Sequence, residues 1–244
     1  MTEPDPTRQR AEELLRSHRL GDEGGVAAEL GRLCRVVSKA LTLLGAAVTL
    51  MPGLHAHAVA AASSTATRRL EEAHFGVGDG PSTDAFGTRR PVLVADLKGV
   101  GLLRWPGWTP TALEAGVHAV YAFPLLIGAT NFGVLTLYVD EPTAVLDAQG
   151  LKSALVYSQI ATEILLDGTG STNGQHHLQS DLEGVLDTHA YVYQAQGMLM
   201  VDLGISLPEA LARMRAHAWT TGQDLTTLAG EIVAGRTRLP RDDY

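Results

Sequence analysis

Cysteine is nearly absent: Cys34 is the only one among 244 residues, so no disulfide can close within the chain. It lies in "ELGRLCRVVSKAL", where Leu30, Leu33, Cys34 and Val37 recur at helical spacing, and a small buried hydrophobe is expected there ahead of a redox switch. No apolar run is long enough to span a bilayer, and the opening "MTEPDPTRQRAEELL" lacks the basic-then-apolar order of a signal peptide. A cytoplasmic protein without membrane contact is the expectation. Positive charge is also short, with a net charge of −8, which argues against non-specific polyanion binding by the whole chain. No GxSxG, kinase or HExxH motif occurs, and "GVGDGP" has neither Walker A nor dinucleotide spacing. That stretch reads as a turn before a helix capped by Ser82 or Asp84. His55, His57 and the pair His176 and His177 lack the companions of a metal site and are expected at the surface. No catalytic residue, metal or cofactor is assigned.

What is present falls into two halves. Residues 1–24 read as a tail and a helix, with the helical pattern beginning near Ala11. Residues 25–167 alternate helical and strand patterns: a helix over 25–44, strands "GAAVTLMP" and "AHAVAAASS" about a Pro52-Gly53 turn, and a short helix "TATRRLEEAHF". Then come a strand "RPVLVADL", the loop "RWPGW", a helix "TALEAGV", strands "AVYAFPLLIG" and "NFGVLTLYVD" joined near Gly128, and a long closing helix. This order predicts an antiparallel sheet packed by helices, in an α+β chain.

Residues 168–179 read as a Gly-, Ser- and Thr-rich linker. Residues 180–240 then read as all-helical. Ser180 and Glu183, and Ser206 and Glu209, have capping-box spacing; Gly204 suits a helix end, Pro208 a first turn, and Asp224 a third N-cap. Leu178, Leu182, Val185, His189, Val192, Gln196, Leu199 and Leu203 are spaced by fours and threes, which predicts a helical stalk whose upstream part pairs with a second subunit. Docking of that stripe on the N-terminal half is the other reading.

The stretch "VYQAQGMLMVDLGISLPEALARMRAHAWTTGQDLTTLAGEIV" resembles the ANTAR family of RNA-binding transcription antiterminators. Its Ala-x-Gly, the Leu-Gly-Ile-Ser break, the Arg-x-His-Ala ending and the final Ala-x-x-Ile-Val fall in family order. The stretches "GDGPSTDAFGTRRPVLVADL", "RWPGW" and "AGVHAVYAFPLLIGATNFGVLTLY" resemble a GAF domain of the kind joined to ANTAR in actinobacterial proteins. The resemblance implies a homodimeric regulator that binds paired stem-loops in nascent RNA, with a ligand or partner signal at the GAF domain. A GAF sensory or protein-interaction module with little RNA affinity is the alternative.

Candidate RNA contacts are Gln196, Gly197, Arg213, Arg215, His217, Arg236 and Arg238. An amide side chain can read a base edge, and a glycine admits a phosphate-sugar backbone or a tightly packed helix. Residues 181–244 hold five arginines against nine acidic residues, a net of −4, whereas residues 205–241 hold five against three, a net of +2. The basic excess is therefore local and small, and a shallow salt dependence is expected. Trp219 is expected to pack against the cap of the last helix, with base stacking as the other reading. Trp105, Trp108, Tyr121, Phe123 and Tyr138 are candidate walls of a GAF ligand pocket, or else core.

Overall fold

The computed structural model describes residues 5–18, 25–53, 56–142, 145–170 and 189–240. Its elements are α1 (Pro6–Ser17), α2 (Val26–Ala40), β1 (Gly45–Gly53), β2 (Ala56–Ala62), α3 (Thr65–Val77), α4 (Pro81–Thr88) and β3 (Val92–Val94). There follow α5 (Leu97–Arg104), α6 (Thr109–Glu114), β4 (Ala119–Ile127), β5 (Thr130–Val139), α7 (Ala148–Gly170), α8 (Ala190–Leu203), α9 (Leu207–Thr221) and α10 (Leu225–Val233).

The strands form one sheet in the order β2-β1-β5-β4-β3, with every neighbouring pair antiparallel. Side chains alternate across a strand, so the sheet separates two apolar layers. Val48, Tyr121, Phe123, Leu135 and Leu137 face α2 and α7, where Leu30, Leu33, Cys34 and Tyr157 complete the layer. Met51, Val120, Val134 and Tyr138 face the opposite side, with Leu70, Trp105 and Trp108 from α3 and the segments around α5 and α6. Cys34 is fully buried, and burial raises its thiol pKa to about 12. The two long strands β4 and β5 turn at Gly128, whose φ of 56° is the left-handed value that a two-residue hairpin demands.

Several expectations need correction. Helix starts at Pro6, not near Ala11: Asp5 accepts the Thr7 N–H as a cap, and Arg8 grips Glu163 of α7 at 2.6 and 2.9 Å. Pro52 and Gly53 belong to β1, where a break in register accommodates a residue without an N–H. The strand in "RPVLVADL" is only three residues, because Asp96 already caps α5 by accepting the Gly99 N–H. Neither Ser82 nor Asp84 caps α4; Gly80 holds that place, with Pro81 in the first turn. His57 is buried rather than exposed, while His55, His176 and His177 lie outside the described residues.

The C-terminal helices form a third core of Val192, Ala195, Leu199, Leu211, Met214, Leu228 and Ile232. Gly204 ends α8 at φ 68°, Ser206 caps α9 through the Glu209 N–H, and Asp224 caps α10 through the Thr227 N–H. In the described part of the heptad stripe, Val192 and Leu199 point into this bundle. Its upstream part, from Leu178 to Val185, lies outside the described residues, as does the Ser180 capping box.

Candidate nucleic-acid interface and buried polar centre

The helix α9 carries the candidate cations on two flanks. Residues four apart share a stripe, so Arg213 aligns with His217 and Arg215 with Trp219; two residues further on is about 200° around the helix. Arg213 is on the open flank, paired with Glu209 at 3.2 Å. Arg236 and Arg238 are exposed beyond α10, where Leu239 folds back onto the bundle core. Trp219 is 66% exposed, which overturns its expected packing at the helix cap.

Two of the candidate contacts are engaged inside the protein. Gln196 is buried, and its Nε2 donates to the Leu207 carbonyl at 2.7 Å, tying α8 to the first turn of α9. An amide fixed this way does not read a base edge. Arg215 turns toward α3, where its Nε and Nη2 donate to the Phe75 carbonyl at 3.0 and 2.8 Å. Gly197 is the reverse case: a Cβ built there meets no atom within 4 Å among the described residues, so no described helix packs closely against it.

The expected GAF pocket wall does not converge on one space. Tyr121 and Phe123 face α2 and α7, whereas Tyr138, Trp105 and Trp108 face the other side of the sheet. The strand alternation is the reason, since Tyr121 pairs with Leu137 and its neighbour Val120 with Tyr138. All five are at most 2% exposed. Their polar atoms are satisfied internally: Trp105 Nε1 donates to Asp84, Trp108 Nε1 to the Leu70 carbonyl, and Tyr121 OH accepts the Leu146 N–H.

On the Tyr138 side lies a polar centre that pattern reading missed. Glu71 of α3 is buried and accepts from Thr49 Oγ1 at 3.0 Å, Tyr138 OH at 2.7 Å and Ser82 Oγ at 3.2 Å, with His74 Nδ1 also 3.2 Å away. Ser82 in turn meets Thr136 Oγ1 at 2.9 Å. Burial alone would raise the Glu71 pKa, but the His74 ring, positive when protonated, and the hydrogen bonds from His74 and Tyr138 outweigh it and hold the carboxyl below its ordinary range. Burial and the same carboxylate push the Tyr138 hydroxyl well up. The His74 ring stacks on Trp108 with centroids 4.4 Å apart, and its buried Nε2 has no hydrogen-bond partner among the described residues. The sequence signal was the pair Glu71 and His74, spaced by three within an otherwise apolar helix stripe. Among the described residues no cluster of three or more His, Cys, Asp or Glu suits a metal ion.

The family model of the ANTAR domain matches residues 180–233. The chain carries an ANTAR domain. The N-terminal half is similar in fold to the GAF domain of an Acinetobacter phosphoenolpyruvate-protein phosphotransferase, at 10% identity and a TM-score of 0.50, over 68% of this chain and 95% of that one. It is likewise similar in fold to the GAF domain of the Coxiella burnetii phosphoenolpyruvate-protein phosphotransferase, at 13% identity and a TM-score of 0.50, over 66% and 96%. The antiparallel sheet with flanking helices is thus a GAF fold, joined to an all-helical ANTAR bundle. No curated protein matches the chain. No described helix is long and apolar enough to cross a membrane.

Proposed function

We propose that the protein is an RNA-binding regulator of transcription antitermination that works in the cytoplasm as a homodimer. The ANTAR match over residues 180–233 carries this reading. Its bundle binds paired stem-loops in a nascent transcript, and stabilising that shape prevents a competing terminator from forming. The GAF domain receives a small-molecule or protein signal. Arg213, His217, Arg236 and Arg238 supply phosphate contacts from the open side, and Gly197 leaves room for a sugar-phosphate backbone. The arginines are few, so affinity depends on two copies acting together. The exposed apolar side chains of Tyr191 and Val201 on α8, 56% and 73% exposed, support self-association.

A titration of the full chain with a labelled RNA of two stem-loops, against a scrambled RNA of equal length, tests the reading. Preference for the paired stem-loops that weakens with salt is expected. Equal affinity for both RNAs sinks it. A second reading, a GAF sensory or protein-interaction module with little RNA affinity, is favoured by one observation: Gln196 and Arg215 are both occupied by backbone carbonyls.

A further inference from the structure

A single helix reaches both domains. α3 brings Glu71 and His74 into the buried polar centre, and the next residue, Phe75, joins the core of the ANTAR bundle at 2% exposure. Its ring centroid is 4.1 Å from that of His189 and 6.3 Å from that of Tyr193, with His57 of β2 at 5.8 Å. Tyr193 OH reaches the His57 carbonyl at 3.4 Å, a second tie between the domains.

Arg215 closes this contact from α9. It donates twice to the Phe75 carbonyl, and its guanidinium carbon lies 5.6 Å from the centre of the Phe75 ring. Phe75 is in the last turn of α3, where carbonyls lack partners within the helix and the dipole favours a cation. Gly78, at φ 82°, makes room: a Cβ there would run into the Arg215 guanidinium. Burial draws the Arg215 pKa down from 12.5 to about 10, so the group stays charged at neutral pH while largely desolvated. The guanidinium is held by a carbonyl and a ring face, with the Asp79 carboxylate adding a favourable charge nearby. The domains are also incompletely packed beside it. A cleft of about 1110 Å³ runs between α3 and α9, lined by Val77, Pro106, Ala216 and the exposed Trp219.

We propose that this contact is a masking latch: the last turn of α3 docks the ANTAR bundle through Phe75 and holds the Arg215 guanidinium away from RNA until the GAF domain moves that turn. The proposal rests on the RNA-binding reading above. The logic is competition: two of the five guanidinium N–H groups are spent on the Phe75 carbonyl, and the Phe75 contact turns the group toward α3 rather than outward to a phosphate. The polar centre supplies the lever, since Glu71 and His74 fix the same turn from inside the GAF fold. If about one molecule in ten is undocked, the apparent affinity for RNA is about tenfold weaker than that of the open form.

Chemical modification of arginine reads the latch without RNA. The full-length protein is treated with phenylglyoxal and followed by mass spectrometry, with exposed Arg236 as the internal reference. Arg215 is expected to react about tenfold more slowly than Arg236 in the wild type and within about threefold of it in Phe75→Ala, which also binds the two-stem-loop RNA more tightly by a similar factor. Phe75→Leu, which keeps the site apolar, serves where Phe75→Ala fails to fold by circular dichroism. Equal reactivity of Arg215 and Arg236 in the wild type overturns the proposal. So does a substitution that exposes Arg215 without improving affinity for an RNA the wild type binds. An exposed Arg215 with no RNA binding by either protein removes the RNA-binding reading instead, and the masking claim with it.

Discussion

Replacing Glu71 by Gln probes the buried centre with the least change of shape. Thr49, Ser82 and Tyr138 donate hydroxyl hydrogens to the carboxylate, and His74 Nδ1 lies beside it. An amide keeps one acceptor but turns the other position into a donor aimed at donors. A hydrogen bond to a charged group contributes about 1.5–3 kcal/mol, and a donor left facing donors places Glu71→Gln near about 3 kcal/mol. At about 2–4 °C per kcal/mol for a domain of this size, the melting temperature falls by about 6–12 °C. Thermal unfolding of the full chain, followed by far-UV circular dichroism, measures it. Because the native pKa of Glu71 is held below the ordinary 4.5, the unfolded chain takes up the proton first as pH falls. The stabilisation is thus fully present above 4.5 and lost as the pH drops further, so the Gln variant should show a flatter pH dependence in that acidic range. A further double substitution, Glu71→Leu with His74→Leu, should cost less than its two single changes together by about 1 kcal/mol or more. A fall of under about 2 °C in Glu71→Gln would refute the view that a charged carboxylate organises this centre.

Four other changes test separate claims. Gly197→Ala should stabilise the protein by about 0.5–1 kcal/mol, since a Cβ there meets nothing and helical glycine is costly, while weakening RNA binding if the backbone of RNA approaches; a lower melting temperature contradicts this. Gln196→Leu leaves the Leu207 carbonyl without its donor and should cost about 1–3 kcal/mol in urea unfolding, with RNA affinity of the folded fraction unchanged. Arg213→Ala should weaken RNA binding by about 1 kcal/mol or more, reduce the salt slope and move stability by no more than about 0.5 kcal/mol, as read by polarisation titrations at several salt concentrations. His189, whose pKa is lowered by burial against Phe75 despite the opposing charge of Asp224, should charge more readily once undocked; docking is therefore complete above the ordinary pKa of 6.5 and weakens as pH falls below it, which amide exchange in α9 can follow.

Most of the fold was legible because its signals are local. The β4–β5 hairpin announces itself through β-branched and aromatic residues on either side of Gly128, and the C-terminal helices through Ser206, Asp224 and Gly204 at their ends. The helix α5 was not legible: "LKGVGLLR" carries two glycines that lower helical propensity, and only tertiary packing explains one of them. A side chain at Gly101 would collide with Leu97 and Thr109, so closeness to the start of α6 selects glycine there. The helix α1 was legible from near Ala11 but its start at Pro6 was not, since the first turn is held by Glu163, 155 residues from Arg8.

The site was legible only in kind. Residue type told which groups can hydrogen-bond RNA, but periodicity assigns a residue to a helix stripe without saying what covers that stripe. Arg213 and Arg215 are alike in composition and two residues apart, yet one pairs with Glu209 at the surface and the other is drawn into a contact with Phe75. Likewise Tyr121 and Tyr138 looked like neighbours in one pocket until the pairing of β4 with β5 put them on opposite faces. The first distinction depends on a partner 140 residues away, Phe75 for Arg215, and the second on the register of the β4–β5 pair. Arg213 and Arg215 thus differ in what holds them, and the partner that makes the difference for Arg215 is the Phe75 carbonyl in the other domain.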